Sequence, residues 1–293
     1  MGYYRPAGLA ESLELLASHE LTIIAGATDI YPASSNRRAW GDWRTSSYLD
    51  ITGLGELRGI SHSHDHYRIG ALTTWTDLVR ESLPGCFDAL QKAALEIGGM
   101  QIQNRATIVG NICNASPAAD GVPPLLCLDT NVELSSKTST RILPLSEFLQ
   151  GNRQTAITPD ELVTALLIPR LSSDATSAFL KLGARRYQVI SIVMAAGILE
   201  LDDGGCVADM RMAVGACSPV AQRLSQLEAD LRGGRAGPDL VKMVTPDHIS
   251  GFTPIDDIRS DANYRRQSAL EITRRLLLDL IGNAGVKHEY RHP

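Results

Sequence analysis

"TIVGNICNASPAAD" occupies residues Thr107 to Asp120 of the chain. This stretch carries one charge, two asparagines and mostly small side chains. Small side chains let a backbone approach another group closely, and the asparagines and the terminal aspartate offer polar contacts. We therefore interpret the stretch as part of a binding site, and the rest of the chain must indicate the ligand.

A second segment, "IIAGATD" from Ile23 to Asp29, reads as a strand that runs into a turn of small residues. The segment "ATIVGNICN", Ala106 to Asn114, is predicted to repeat that design. Consecutive backbone N–H groups in such turns form anion-binding nests, so two of them predict a clamp for the two phosphates of a dinucleotide. A plain glycine turn after a strand is the alternative for each. Neither segment matches G-x-G-x-x-G or a P-loop, which disfavours the common nicotinamide and ATP sites.

Composition narrows the class of protein. The 293 residues are 44% apolar and 21% charged with a net charge of −5, which is typical of a globular protein and lacks the basic footprint of a nucleic-acid binder. The longest apolar run, near Ile190 to Leu199, is shorter than the roughly 20 residues of a membrane span. The first residues show no apolar signal core, so we expect a cytoplasmic protein.

The sequence offers little sign of metal or nucleophile chemistry. No two of the five cysteines are separated by two residues, which disfavours a zinc ribbon or an iron–sulfur cluster held by this chain. No G-x-S-x-G elbow surrounds Ser116, and Cys113 and Cys217 have no recognisable histidine partner. We predict no catalytic residue and no metal ligand, which favours a reaction driven by a bound cofactor.

Two polar segments have alternative interpretations. His62, His64 and His66 would share one face of a continuous strand and could bind a metal, but a turn at residues 63–65 would make them an exposed hairpin tip. "FLKLGARRYQVIS", Phe179 to Ser191, is either a solvated loop at a domain boundary or a cationic, aromatic lid over a flat or anionic ligand. Taken alone, each segment favours the plainer interpretation.

Hydrophobic spacing predicts an α/β or α+β amino-terminal region, and the pattern changes near residue 171. The predicted helices are 12–18, 74–81, 87–97, 219–231 and 261–281. The predicted strands are 21–25, 48–51, 66–70, 132–134, 161–168, 191–201 and 207–215.

Four motifs in the same order resemble the FAD-binding medium subunit of the molybdenum hydroxylases, the family of xanthine dehydrogenase and carbon monoxide dehydrogenase. "AGATDIY" is similar to the family's first flavin motif, and "TIVGNICNASPAAD" is similar to its second. "FLKLGARRYQVISIV" resembles the start of the family's carboxy-terminal domain, and "YRRQSALEITRRLL" resembles its last helix. The resemblance covers nearly the whole chain.

The resemblance implies an α+β fold. Residues 1–170 would form a two-lobed FAD-binding domain of the vanillyl-alcohol oxidase and MurB type, with lobes of about 1–54 and 55–170. Residues 171–293 would form a small α+β domain of the CO dehydrogenase flavoprotein type, with a three-stranded antiparallel sheet and helices.

The resemblance also implies a site for non-covalent FAD. The two small-residue turns would wrap the pyrophosphate, with Asn111 and Asp120 on the diphosphate–ribose part and Ile97 and Val163 lining the flavin or adenine cavity. Lys181 would approach the cofactor and Tyr187 would lie over the isoalloxazine ring. The full set of implied cofactor-binding residues is Ile23, Ile24, Ala25, Gly26, Ala27, Thr28, Asp29, Ile30, Ile97, Ala106, Thr107, Val109, Gly110, Asn111, Cys113, Asp120, Val163, Lys181 and Tyr187.

The implied function is electron transfer. An iron–sulfur subunit and a molybdopterin-binding subunit would be separate chains, and FAD would pass electrons to an acceptor such as NAD. The alternatives are a stand-alone flavin oxidoreductase of the same fold and a non-catalytic assembly subunit that has lost FAD. Ala27 and Val109 replace glycines of the family motifs and are the only support for the last alternative. The substrate of the complex cannot be read from this chain.

Overall fold

The computed structural model describes residues 2–40 and 46–289. The strands are β1 Tyr3–Tyr4, β2 Thr22–Ile24, β3 Tyr48–Asp50, β4 Ile60–His62, β5 His66–Gly70, β6 Asn131–Ser135, β7 Thr140–Pro144, β8 Leu149–Gly151, β9 Gln154–Thr155, β10 Leu162–Pro169, β11 Thr176–Leu182, β12 Val193–Leu201, β13 Val207–Gly215 and β14 Gln222–Arg223. The helices are α1 Leu9–Ser18, α2 Ile30–Ala39, α3 Trp75–Arg80, α4 Asp88–Glu96, α5 Met100–Gln103, α6 Ile108–Cys113, α7 Val122–Cys127, α8 Leu145–Phe148, α9 Ser225–Leu231, α10 Pro238–Val241 and α11 Ala262–Glu289.

A small parallel sheet begins the chain, in the order β1-β3-β2. The central strand β3 pairs in parallel with both neighbours, and it places Leu49 in the core with no exposed surface. Helix α1 packs on this sheet through Leu13 and Leu16, which belong to the same buried cluster. Strand β2 ends at Ile24, so the turn that follows it emerges at the edge of this lobe.

A five-stranded antiparallel sheet follows, in the order β4-β5-β10-β6-β7. Strand β10 lies at its centre, which explains why its sequence reads as a nearly continuous apolar run. The helices between β5 and β6 contribute Trp75, Leu90, Ile108 and Ile112 to the core, all fully buried. Helix α6, which contains most of the first half of the quoted stretch, is therefore anchored from beneath by apolar packing.

The last sheet is antiparallel, in the order β11-β12-β13-β14. Its three long strands match the predicted three-stranded sheet, and the fourth, β14, adds only two residues. Helix α11 covers this sheet, and Leu276 and Leu280 approach it at Gly197, where a side chain would lie 2.8 Å from Leu280 Cδ1. The residues buried between this sheet and its helices form a second hydrophobic core, distinct from the first one. The structure thus confirms the predicted α+β class.

The predicted strand and turn at Ala106 to Asn114 is wrong, because residues 108–113 form helix α6. The β-branched residues Thr107, Ile108 and Val109 suggested a strand. Instead, the Thr107 hydroxyl accepts a hydrogen bond from the backbone N–H of Gly110 at 2.9 Å and caps the first turn of the helix. A threonine in this position favours a helix start, which strand propensity alone does not reveal.

Three other segments differ from or refine the sequence interpretation. Phe179–Leu182 lies in strand β11 and is not part of a loop, so the solvated-loop interpretation of this half of the segment is wrong. The predicted helix 219–231 is wrong over its first half, where strand β14 precedes helix α9. The histidines lie on a hairpin, with His62 paired opposite Tyr67 and a turn between β4 and β5. No cluster of three potential metal ligands occurs within the described ranges.

We expect Glu161 to make the second sheet sensitive to acid. Arg141 binds its carboxylate through two hydrogen bonds of 2.6 and 2.9 Å, and these hold the pKa of Glu161 at about 2, below its usual value. A lowered pKa stabilises the fold above the unfolded-state pKa and loses that effect as pH falls through the folded-state pKa. Glu161→Gln should therefore lower the free energy of unfolding by roughly 1–3 kcal/mol at pH 7.

Urea unfolding of both proteins between pH 7 and pH 3 would measure the difference. The difference in free energy of unfolding between wild type and Glu161→Gln should become smaller as pH falls below about 4.5. Below that pH the wild-type carboxyl binds a proton in the unfolded chain. Glu147→Gln, on the short helix α8, changes an exposed carboxylate and serves as control. An unchanged difference across this pH range would contradict the assignment.

Candidate cofactor site

A cavity of about 640 Å³ lies where the three sheets described above meet. Its wall combines the turn after β2, the start of α6, the loop that ends in Asp120, strand β10 and the end of β11. The volume falls within the range of roughly 300–1,000 Å³ that is usual for cofactor sites. More of the lining surface is apolar than polar, with Ile23, Ile97 and Val163 among the apolar side chains. The cavity can therefore hold a large, partly aromatic ligand.

The two small-residue motifs touch each other at this cavity. A side chain on Gly26 would lie 2.1 Å from the carbonyl oxygen of Arg105 and 2.9 Å from the α carbon of Ala106. The backbones of the two motifs are therefore in direct contact, and only glycine permits it. The sequence alone predicted two similar turns, and the structure shows that they form one continuous wall.

Ala27, next to that contact, has a φ of 61°. This left-handed conformation costs a residue with a side chain about 1–2 kcal/mol, whereas glycine adopts it freely. The family motif has glycine at this position, so its replacement by Ala27 stores strain in the turn. Val109, the other departure from the family motif, lies in helix α6 with an ordinary helical backbone and is buried. Val109 therefore needs no glycine-like conformation.

Polar atoms without partners lie beside the cavity. Among the described residues, the Asn111 Oδ1 and Trp75 Nε1 atoms are buried and make no hydrogen bond. Both side chains flank Gly121, where an added side chain would lie 3.0 Å from Asn111 Oδ1 and 2.5 Å from the Trp75 ring. An unpaired buried polar group is costly, and such groups concentrate where a ligand or water completes the bonding.

Asp120, at the end of the quoted stretch, is the charged centre of the wall. Its Oδ2 accepts a hydrogen bond of 2.6 Å from Lys181 Nζ, and its Oδ1 accepts one from the hydroxyl of Ser191. The Lys181 side chain is 6% exposed and that of Asp120 is 7% exposed, so this ion pair is buried. Burial raises the pKa of Asp120, while Lys181 and Ser191 oppose that rise. Lys181 Nζ also donates to the backbone oxygen of Glu96.

A second polar group lies near the entrance. Asn114 donates from Nδ2 to Asp29 at 3.1 Å, and the guanidinium of Arg153 donates to Asn114 Oδ1. These three side chains belong to three different segments and all line the cavity. Arg153 places a cation beside the two turns. It was not predicted, because a lone arginine in a short hairpin between β8 and β9 carries no recognisable signal in the sequence.

The structure brings together most of the predicted site. Every predicted cofactor residue lines the cavity except Ile24 and Tyr187. Ile24 is buried in the core on the opposite side of strand β2 from Ile23, because side chains alternate along a strand. Tyr187 is 66% exposed, and its ring contacts the guanidinium of Arg186. Sequence reasoning missed Trp75, Ile190 and several small residues of the wall, among them Ala71, Gly98 and Ala119.

Cys113 is the wall residue with a thiol. It has exposed surface and lines the cavity, yet desolvation raises its pKa to about 12. A thiol with this pKa is protonated at neutral pH, and a protonated thiol is a poor nucleophile. Cys113 therefore forms part of the wall and offers no nucleophile.

Known protein families and relatives match this chain over nearly its whole length. The profile of the FAD binding domain in molybdopterin dehydrogenase matches residues 1–171, and that of the CO dehydrogenase flavoprotein C-terminal domain matches residues 178–280. The chain is 29% identical over 289 residues to a xanthine dehydrogenase FAD-binding subunit of Escherichia coli O157:H7, covering 97% of each. It is 29% identical to a nicotinate dehydrogenase FAD-subunit of Eubacterium barkeri, covering 95% of each.

Solved structures agree with these relatives. A chain of carbon monoxide dehydrogenase from Hydrogenophaga pseudoflava superposes with a TM-score of 0.88 at 25% identity, covering 97% of this chain and 98% of that one. A chain of the CO dehydrogenase from Oligotropha carboxidovorans superposes with a TM-score of 0.87 at 26% identity, covering 96% and 98%. These matches extend over both the first two sheets and the last one.

The fold and the cavity define a flavoprotein component of an oxidoreductase. The chain belongs to the family of FAD-binding medium subunits of the xanthine dehydrogenase and CO dehydrogenase type, and its cofactor is FAD. The residues present fit that cofactor. The direct backbone contact at Gly26 leaves the turns free of side-chain bulk, and the unpaired Asn111 oxygen and the Arg153 cation supply polar contacts.

Two further observations concern metals and membranes. Cys113, Cys127, Cys206 and Cys217 are free thiols, and no metal-binding cluster occurs in the part of the chain that the structure describes. Among residues 2–40 and 46–289, no helix combines the length and the apolar character needed to span a bilayer.

The strain at Ala27 leads to a prediction. Ala27→Gly should raise the free energy of unfolding by up to about 1 kcal/mol, because relief of the left-handed strain outweighs the added entropy of glycine in the unfolded chain. Urea unfolding of the FAD-free chain would measure this change. A decrease would mean that the turn is not strained at this residue.

Gly26→Ala makes the reverse change at the neighbouring position and serves as the contrast. Its new Cβ would meet the backbone of Arg105 at 2.1 Å, which neither segment can avoid without moving. We expect a loss of at least about 2 kcal/mol of stability and a much weaker affinity for FAD. Equal effects of the two substitutions would contradict the distinct roles assigned to these neighbours.

Proposed function

We propose that this chain is the FAD-carrying electron-transfer subunit of a molybdenum-containing hydroxylase or dehydrogenase. It would hold FAD non-covalently between an iron–sulfur subunit, which supplies electrons, and an external acceptor such as NAD. Bound FAD supplies the two-electron and one-electron chemistry that the side chains lack. The observation that carries the proposal is the cavity itself, which collects both small-residue motifs and the buried Asp120–Lys181 pair.

Each part of the chain has a separate role in this proposal. Residues 1–170 would bind FAD in two lobes, of about 1–54 and 55–170, and residues 171–293 would close the cavity. The closing part contributes Lys181, Val189 and Ile190 to the wall, which supports this division of labour. Asn111 and Asp120 would hold the diphosphate–ribose part, and Lys181, bonded to Asp120, would approach the cofactor beside them.

The partner chains follow from what this chain lacks and from its relatives. Within the described ranges there is no ligand cluster for an iron–sulfur centre, so that centre and the molybdopterin would belong to separate subunits. The relatives include a nicotine 6-hydroxylase medium subunit and a carbon monoxide dehydrogenase medium chain, names that denote parts of larger assemblies. We further propose that the complex is cytoplasmic.

Helix α2 supports a protein partner close to the cavity. It begins at Ile30, within the last residues of the first flavin motif, and none of its ten residues is buried. Isolated helices of this length are marginal in water, since most helical stability in proteins comes from packing of one face. Tyr31 on this helix is 62% exposed and Trp40 at its end is 90% exposed, which is typical of a surface that another chain covers.

An absorption spectrum of the purified chain tests the cofactor role. After incubation with FAD, we expect flavin bands that remain with the protein through desalting. Acid denaturation should release the flavin, because it is not covalently attached. Arg153→Gln should weaken FAD affinity roughly tenfold, since it removes a cation beside the turns. Arg170→Gln, whose guanidinium contacts Tyr67 and the Ser63 carbonyl away from the cavity, should leave the affinity unchanged.

A folded chain without flavin bands, alone and in the presence of its neighbouring subunits, would contradict the proposal and favour a non-catalytic assembly subunit. Substrate turnover by the isolated FAD-loaded chain would favour a stand-alone oxidoreductase. For the acceptor, reoxidation of the dithionite-reduced FAD-loaded chain by NAD⁺, followed at the flavin band, is the direct measurement. Reoxidation by oxygen or a quinone but not by NAD⁺ would exclude NAD as acceptor.

Lys181 carries a separate prediction. A cation on the cavity wall stabilises the anionic reduced flavin more than the neutral oxidised one. Lys181→Met should therefore lower the midpoint potential of the bound FAD, measured by spectroscopic titration against a reference dye. Lys242→Met, on an exposed ion pair with Asp239 in the last domain, is the matched control. An unchanged potential in Lys181→Met would remove Lys181 from this role.

A further inference from the structure

A cluster of charged residues lies behind the cavity, in the segment that leads into helix α11. Asp257 binds two arginines: its Oδ2 accepts from Arg259 Nε at 3.0 Å, and its Oδ1 accepts from Arg265 Nη2 at 2.7 Å. Arg265 is 1% exposed, which makes it one of the largest fully buried side chains of the protein. The two arginines hold the pKa of Asp257 well below its usual value, so the carboxylate stays charged.

Both arginines also bind the backbone where β12 begins. Arg259 Nη1 donates to the carbonyl oxygen of Ser191 at 3.0 Å, and Arg265 Nη1 donates to that of Ile192 at 2.8 Å. Arg265 Nη1 further donates to the Ala216 carbonyl at 3.2 Å. Two neighbouring peptide groups are thus fixed by arginines that do not line the cavity, and Ser191 itself is completely buried.

The side chain of Ser191 binds a residue of the cofactor wall. Its hydroxyl donates to Asp120 Oδ1, and Asp120 Oδ2 binds Lys181 at 2.6 Å. A continuous series of bonds therefore runs from Asp257 through Arg259 and Ser191 to the ion pair at the cavity. A buried carboxylate keeps its charge only if donors compensate the lost water, and Ser191 is one of the two side-chain donors that Asp120 has among the described residues.

We propose that Arg259, together with Arg265 and Asp257, is a positioning residue for the flavin: it holds Ser191 against Asp120 and so fixes the charge of the Asp120–Lys181 pair. The inference rests on the proposed role of this chain as the FAD carrier. It assigns to the carboxy-terminal domain an influence on the balance between oxidised and reduced cofactor, exerted by residues that do not line the cavity.

The test compares dissociation constants for oxidised and reduced FAD in the full chain. Ser191→Ala removes a donor that favours the ionised form of Asp120, so the buried carboxyl binds a proton more readily. The protonated carboxyl carries no negative charge, and losing that charge from the wall favours the anionic reduced flavin. We expect the ratio of the oxidised to the reduced dissociation constant to rise about tenfold, which is about 30 mV for a two-electron couple. Arg259→Gln should move the ratio in the same direction by roughly threefold.

The double variant decides whether Arg259 acts through Ser191. If it does, Ser191→Ala with Arg259→Gln shifts the ratio no further than Ser191→Ala alone. Arg274→Gln is the matched control, because Arg274 also donates to a backbone carbonyl, that of Val244, but does not contact residues 191–192. Its ratio should equal that of the wild type.

Several results would overturn the proposal. An unchanged ratio of the two FAD dissociation constants in Ser191→Ala would do so, whatever the result for Arg259→Gln. Additive shifts in the double variant would show that Arg259 does not act through Ser191. If Arg259→Gln does not fold, Arg259→Lys replaces it, since lysine keeps the charge but loses the planar pair of donors. A wild-type chain that binds no FAD at all would instead contradict the proposed function.

Discussion

The carboxylate of Asp120 links the parts of this protein. It ends the second small-residue motif, yet both of its side-chain donors, Lys181 and Ser191, come from the carboxy-terminal part of the chain. Removal of one partner from a buried ion pair typically costs 3–5 kcal/mol, since the other charge is left without compensation. The same bonds that hold the two parts together therefore also determine the electrostatics of the cofactor cavity. In the proposed function, the stability of the chain and the redox properties of the bound flavin would depend on the same small group of atoms.

The sequence predicted well those strands whose signal lies in a run of consecutive residues. Strand β5 was predicted with its bounds, and β10, β12 and β13 were placed within two residues, because their apolar runs are long and clearly bounded. Helix α6 was missed, because its β-branched residues favour a strand and only the cap at Thr107 decides the matter. Strand β11 was missed because Lys181 and its neighbours read as a solvated surface, although tertiary contacts bury the lysine.

The residues of the site also fall into two groups, those that the sequence could predict and those that it could not. Motif residues that follow one another along the chain were recognised, and the structure gathers nearly all of them around one cavity. Trp75 and Arg153 could not be recognised, since each is an isolated residue whose place depends on how distant segments pack. The departures from the family motif also needed coordinates. Ala27 adopts a glycine-like backbone whereas Val109 does not, so two substitutions that look equivalent in the sequence differ physically.

The cavity wall has a consequence for the order in which the site is completed during synthesis. Its lining residues extend from Thr22 to Ile190. Arg259, which binds the backbone of Ser191 behind this wall, comes later still in the chain. A chain is synthesised at about 5–20 residues per second, and its amino-terminal portion folds first. The two small-residue turns are therefore synthesised well before Lys181 and Ser191, which complete the wall. The wall and the bonds that support it are complete only when nearly the whole chain has been made.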